Sequence, residues 1–150
     1  MIMEWLRSKI CTPKCDIDPP KKKYPIDHTE ILTLLKAEFG EECHIYLSDI
    51  DYNTVTKQEL QRFLKNDKTN YNKYVADVFD CDDFSYRLLG EITIGAWCDI
   101  PFGILWVDTP NGGHAVNVFV DKSRSVWIVE PANDNIFKLP DDWTPGLVVL

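Results

Sequence analysis

Residues 79–90 read FDCDDFSYRLLG, and this stretch decides how the rest of the chain is placed. Phe84 and Leu88, with Tyr86 at the margin, suit the buried face of a helix, and Gly90 is expected to end it. Asp80 is a good N-cap, which puts Cys81, Asp82 and Asp83 in the first turn. A thiol at that position sits among free backbone amides at the positive end of the helix dipole, a setting that favours the thiolate.

Outward from that helix the chain has ordinary globular proportions. It holds 150 residues, of which 45% are hydrophobic and 27% charged. One domain with a real core is expected at this length. Sixteen basic residues against 24 acidic ones leave a net charge of −8. Nucleic acid is therefore not an expected partner, because phosphate contacts need clustered Lys and Arg. No apolar run is long enough to span a membrane. The opening MIMEWLRSKI carries Glu4, Arg7 and Lys9 instead of an apolar signal core, so a cytoplasmic or virion-associated location is expected. The five cysteines include one C-x3-C pair, Cys11 and Cys15, which lacks two convincing further zinc ligands. Free thiols are expected.

Residues 1–27 read as an N-terminal segment and a proline-rich arm, with four of the nine prolines in 11–27. The arm is expected to be extended and poor in contacts, and to be available to an assembly partner. Residues 28–150 read as a single domain. Asp27 should cap a helix over HTEILTLLKAEF, stopped by Gly40. CHIYL at 43–47 reads as a short strand. Thr56-x-x-Glu59 is a capping box for a second helix starting near residue 57. The Asp49, Asp51, Asn53 spacing fails as a calcium loop, since Thr54 stands where the turn needs Gly and Leu60 where the bidentate Glu should be. After residue 91 the segments ITIGAW, GILWV, HAVNVFV, SVWIV and GLVVL are β-rich, with turns at Asn111-Gly112-Gly113 and Asp121–Arg124. Helices first and strands second predict α+β, with helices packed on an antiparallel sheet.

Three residues converge as a candidate site: Cys81 at the helix start, His114 opening a strand and Glu130 closing the next. Cys, then His, then an acid is the order that nucleophilic thiol catalysis uses, with the third group orienting the imidazole. Side chains alternate along a strand, so the hairpin loop decides whether His114 and Glu130 can meet. A four-residue loop puts them on opposite faces, and a three- or five-residue loop puts them on one face. If they are on opposite faces, Asn133 is the alternative orienter.

FDCDDF, GGHAVNVFV and VWIVEP together resemble the papain-like cysteine-protease domain at the C-terminus of the Marasmius agglutinin and its small phage and bacterial relatives. The resemblance covers about residues 44–137. It implies a papain-like fold, a peptide or protein substrate, and Cys81 as nucleophile, His114 as base and Glu130 as orienter. It also implies calcium: Asp82 and Asp83 match the motif, and Asp80 and Asp77 extend the set by position. There is no room for a lectin β-trefoil ahead of the motif, so carbohydrate binding is not expected to carry over. Val75 stands where papain-like enzymes place an oxyanion amide, and Ala132 where relatives often carry Gln. A looser resemblance, to NlpC-type and CHAP-type hydrolases, implies peptidoglycan as substrate. A non-catalytic phage structural or interaction module on the same fold is the third reading.

Overall fold

A computed structural model describes residues 16–150. Cys11, Cys15 and the arm up to residue 15 lie outside the described residues. In chain order the elements are β1 (Tyr24–Asp27), α1 (His28–Phe39), β2 (His44–Tyr46), β3 (Asp51–Thr54), α2 (Lys57–Asn66), α3 (Cys81–Ile92), β4 (Phe102–Thr109), β5 (Gly112–Val120), β6 (Val126–Glu130), β7 (Asn135–Phe137) and β8 (Thr144–Val149). Single 3-10 turns occupy Thr69–Tyr71 and Gly95–Trp97.

The helices begin where their caps lie. Asp27 accepts the Glu30 N–H at 2.9 Å, and Thr56 Oγ1 accepts the Glu59 N–H at 3.2 Å. Gly40, at φ 85°, ends α1 in a conformation that costs an L side chain dearly. Gly90 does not end α3 as expected. The helix runs on to Ile92, whose side chain is buried, and burial outweighs the roughly 1 kcal/mol propensity cost of an interior Gly. The expected strand ITIGAW is likewise absent: it is the end of α3 followed by the 3-10 turn that buries Trp97.

Six strands form one sheet in the order β2-β8-β4-β5-β6-β7, and β1 pairs with β3 in a separate ribbon. The expected papain-like α+β fold on an antiparallel sheet is corrected here. The sheet is mixed, because β2 runs parallel to β8, with His44 beside Leu147 and Tyr46 beside Val149. Strands also hold more residues than α-helices do. The parallel pair was not legible because β2 is three residues long and only partly buried. Backbone pairing across a hundred residues of sequence sets it, with no local pattern to announce it.

The sheet lies between two apolar layers. On one face Ile31, Leu35 and Phe39 of α1 pack on Leu105, Val107, Val116, Val118 and Val148. On the other, Leu60 and Phe63 of α2 and Leu88 and Ile92 of α3 pack on Phe102, Phe119 and Val129. With both faces covered, β5 is apolar at nearly every position, as buried strands are. Among its fully buried positions the exception is Asn117, whose amide donates to Ser85 O at 3.1 Å and Gly103 O at 3.0 Å. Gly103 itself is required, since a Cβ there would lie 2.0 Å from Val149 O on β8.

Residues 16–27 are tied down, contrary to expectation. Asp18 O accepts the Trp97 indole N–H and, with Pro19 O, the Arg62 guanidinium. Lys23, from the basic run, pairs with Asp99.

Asn117→Ala strands two buried carbonyls and is expected to cost about 2–4 kcal/mol. Gly103→Ala should cost at least as much, through displacement of β8. Urea denaturation measures both, and a loss under about 1 kcal/mol in either variant would contradict this account.

Candidate functional site

The N-terminus of α3 is built by its own acids. The Asp80 N–H donates to Asp83 Oδ2 at 3.1 Å, which is half of a capping box. The Asp77 N–H donates to Asp80 Oδ2 at 3.2 Å from a left-handed residue, φ 59°. Cys81 follows, half-buried, and its carbonyl accepts the Ser85 hydroxyl at 2.9 Å. The Asp80 and Asp82 carboxyls lie side by side, with oxygens within 4.8 Å of each other. Their proximity lowers the pKa of Asp80 and raises that of Asp82.

His114 and Glu130 meet through the register of the β5–β6 hairpin. Val120 pairs with Val126 and Asn117 with Val129, which leaves a five-residue loop at 121–125. Both side chains therefore fall on the Val116 face, and Glu130 Oε2 lies 2.9 Å from His114 Nε2. Glu130 Oε1 accepts the Ala132 N–H at 3.3 Å, so both carboxylate oxygens are engaged. Trp143 closes edge-on against the imidazole, with ring centres 5.6 Å apart. Asn133 is not brought to His114. Its Oδ1 accepts the Asn135 N–H at 3.0 Å within the β6–β7 turn.

Cys81 and His114 line one cleft of about 390 Å³ between α3 and the β4–β5–β8 part of the sheet. Its lining also includes Trp106, Asp108 and Leu147, none of them singled out in the sequence. Trp106 projects from β4 opposite to Leu105 and Val107, an alternation that sequence could have shown. Leu147 is placed by a shift in the β4–β8 register between Trp106 and Val107, which it could not.

Of the four acids offered for calcium, the structure gathers two. Asp80, Cys81 and Asp82 present ligand atoms within 4.8 Å of one another, whereas Asp83 is turned to the Asp80 amide. Asp80 and Asp82 are hard oxygen donors that suit calcium; the Cys81 sulfur is soft and does not. Any cation there would rest on the two carboxylates.

The family model described as "Agglutinin C-terminal" matches residues 52–136, from β3 through the site to β7. The chain belongs to the Agglutinin C-terminal family. No curated protein matches it. Two solved structures share the fold of this family member at 20% identity, over 84% of its length. One is described as "PSL1a-E64 complex" (TM-score 0.74, 51% of that chain). The other is Polyporus squamosus lectin bound to the human-type influenza-binding epitope Neu5Aca2-6Galb1-4GlcNAc (TM-score 0.72, 49% of that chain). The chain thus spans about half the length of the solved proteins it matches.

These findings correct the sequence reading. An agglutinin-related domain stands. The papain-like fold label and the cysteine-peptidase function do not, because the family matched is an agglutinin family and the fold is shared with a lectin. A peptide or protein substrate has no support from them.

Among the cysteines of the described residues, native alkylation with iodoacetamide, mapped by peptide mass spectrometry, should modify exposed Cys98 fastest and half-buried Cys81 next. Cys43 should stay unmodified, since burial raises the pKa of its thiol. Modification of Cys43 before Cys81 would contradict the burial pattern.

Proposed function

We propose that this domain is a carbohydrate-binding module and that a neutral glycan seats in the cleft between α3 and β4–β5. The observation that carries the reading is the lining of the cleft. Its floor is Trp106, half-buried, with the Tyr86 ring edge-on at 6.1 Å. Around that floor stand Asp82, Asp108 and His114. A sugar ring has the matching two-sided chemistry: C–H faces that pack on an aromatic plane and hydroxyls that hydrogen-bond to carboxylates and imidazole. Glu130 fixes the His114 ring, so this hydrogen-bonding group is preorganised. The glycan named with the Polyporus squamosus lectin supports the ligand class, against the expectation that carbohydrate binding stops short of this domain. That ligand carries a sialic acid, however. Two carboxylates in this cleft, on a chain of net charge −8, disfavour an anionic sugar.

Calcium belongs to the same reading. Asp80 and Asp82 would hold it, and it would supply positive charge that offsets the repulsion among the acids at the head of α3.

Titration calorimetry with neutral galactose- and glucose-based oligosaccharides tests the reading, with sialylated forms in parallel. Neutral glycans should bind more tightly than their sialylated counterparts. Trp106→Ala should weaken binding at least tenfold, about 1.4 kcal/mol, while the fold stays intact by circular dichroism. Asp82→Asn should remove any calcium dependence of that binding. Absence of binding across the glycan set would overturn the proposal, as would ligand hydrolysis that disappears in Cys81→Ala.

A further inference from the structure

A second polar cluster lies where α2 ends, on residues other than those that line the cleft. Asp67, only 5% exposed, follows α2 and accepts the Thr69 N–H on Oδ2 at 2.8 Å. Thr69 is fully buried. Its neighbour Asn70 donates through Nδ2 to Asp134 Oδ2 at 2.8 Å. Asp134 sits in the β6–β7 turn at φ 61°. These two hydrogen bonds and one peptide link join the four residues into a single group. Within it Thr69 Oγ1, Asn70 Oδ1 and Asp134 Oδ1 are buried and have no hydrogen-bond partner. Among the described residues no Lys or Arg forms an ion pair with either carboxylate; Lys65 shares a shallow pocket with Asp134 but makes no contact of that kind.

We infer that Asp67, Thr69, Asn70 and Asp134 form a site for a hard divalent cation, calcium by its chemistry. Every group offered is an oxygen, and the set spans carboxylate, amide carbonyl and hydroxyl, the mixture that calcium takes. Three partnerless acceptors in one place are costly to bury. A water molecule would satisfy hydrogen bonds but would leave the two carboxylates of the group without countercharge. A cation answers both demands. The proton is its competitor: burial and then the charge of Asp67 push the pKa of Asp134 up to about 6. The site also ties the turn after Glu130 to the end of α2, on the strand connection that carries the His114 partner.

The test uses the chelated full chain, titrated with calcium chloride by calorimetry at pH 7.5 and pH 5 and followed by thermal melting. The unmodified chain should bind calcium and melt higher with it, and binding should weaken at pH 5, where Asp134 holds a proton. Asp134→Asn keeps a residue type that tolerates the left-handed conformation. It should lose at least tenfold in calcium affinity. In chelator it should melt at or above the unmodified chain, because like-charge repulsion is gone. Asp67→Asn should behave the same way. Asp82→Asn should retain this binding, which separates the site from the acids of the cleft. No binding at millimolar calcium would mean that only water or a proton occupies the cluster. An unchanged calcium-induced melting shift in both Asp134→Asn and Asp67→Asn would place the ion elsewhere. Either result overturns the inference.

Discussion

The amide of Asn117 fixes the relation between α3 and the sheet. One side-chain nitrogen, fully buried, donates to Ser85 O in the helix and to Gly103 O in the adjacent strand. Nothing apolar in its place could set that relation, since hydrophobic packing is non-directional and lets a helix slide along a sheet face. Directionality passes to the site in short steps. The Ser85 hydroxyl reaches back one turn to Cys81 O, so the residue clamped to the sheet also holds the first residue of the helix. Gly103, clamped from the other side, is where Val149 O approaches too closely for any Cβ. That approach seats β8, whose Leu147 forms a wall of the cleft. The helix end, the strand and the wall are therefore consequences of one buried polar residue in an otherwise apolar strand.

The second constraint is a loop length. Five residues separate β5 from β6, and Asp121 organises them. Its Oδ1 accepts the Ser123 and Ser125 N–H groups and its Oδ2 the Trp127 indole N–H. Arg124 takes the left-handed conformation needed to close the turn. One residue fewer would rotate Glu130 to the opposite face from His114, because strand periodicity is two. The contact between imidazole and carboxylate is thus decided about ten residues away, by how an aspartate folds its own loop.

Local signals were legible in the sequence, and distant ones were not. Asp27, Gly40 and Thr56 announced helix boundaries because a cap is a contact between neighbours in sequence. Cys81, His114 and Glu130 were legible as a group because a helix start, a strand start and a strand end limit where each can lie. Asn117 was invisible: a single polar residue in HAVNVFV looks like a lapse in the pattern, and its two partners lie 32 and 14 positions away. The parallel pairing of β2 with β8, the bulge beside Trp106 and the meeting of Asp134 with Asn70 across 64 positions share that character. The resemblance located the family motif correctly but attached to it a fold label and an activity, and function follows from a site's chemistry more closely than from a fold.

The acidic balance of the chain has a pattern that net charge alone hides. Several surface acids pair with bases, as Glu30 does with Arg124, Glu41 with Lys36 and Glu59 with Arg62. Among the described residues Asp67, Asp80, Asp82 and Asp134 are in no such ion pair. Asp80 and Asp82 lie side by side, and burial and then the charge of buried Asp67 raise the pKa of Asp134. Like charges kept close without a base destabilise a fold unless something positive is bound. Replacing such an acid by its amide removes the repulsion and keeps the hydrogen-bonding shape. These acids stand at two helix ends, one pair at the mouth of the cleft and one beneath the turn that follows Glu130. The cleft offers hydrogen-bond acceptors and negative potential around an aromatic floor, and under the proposed function that combination favours a ligand rich in donors and free of its own negative charge.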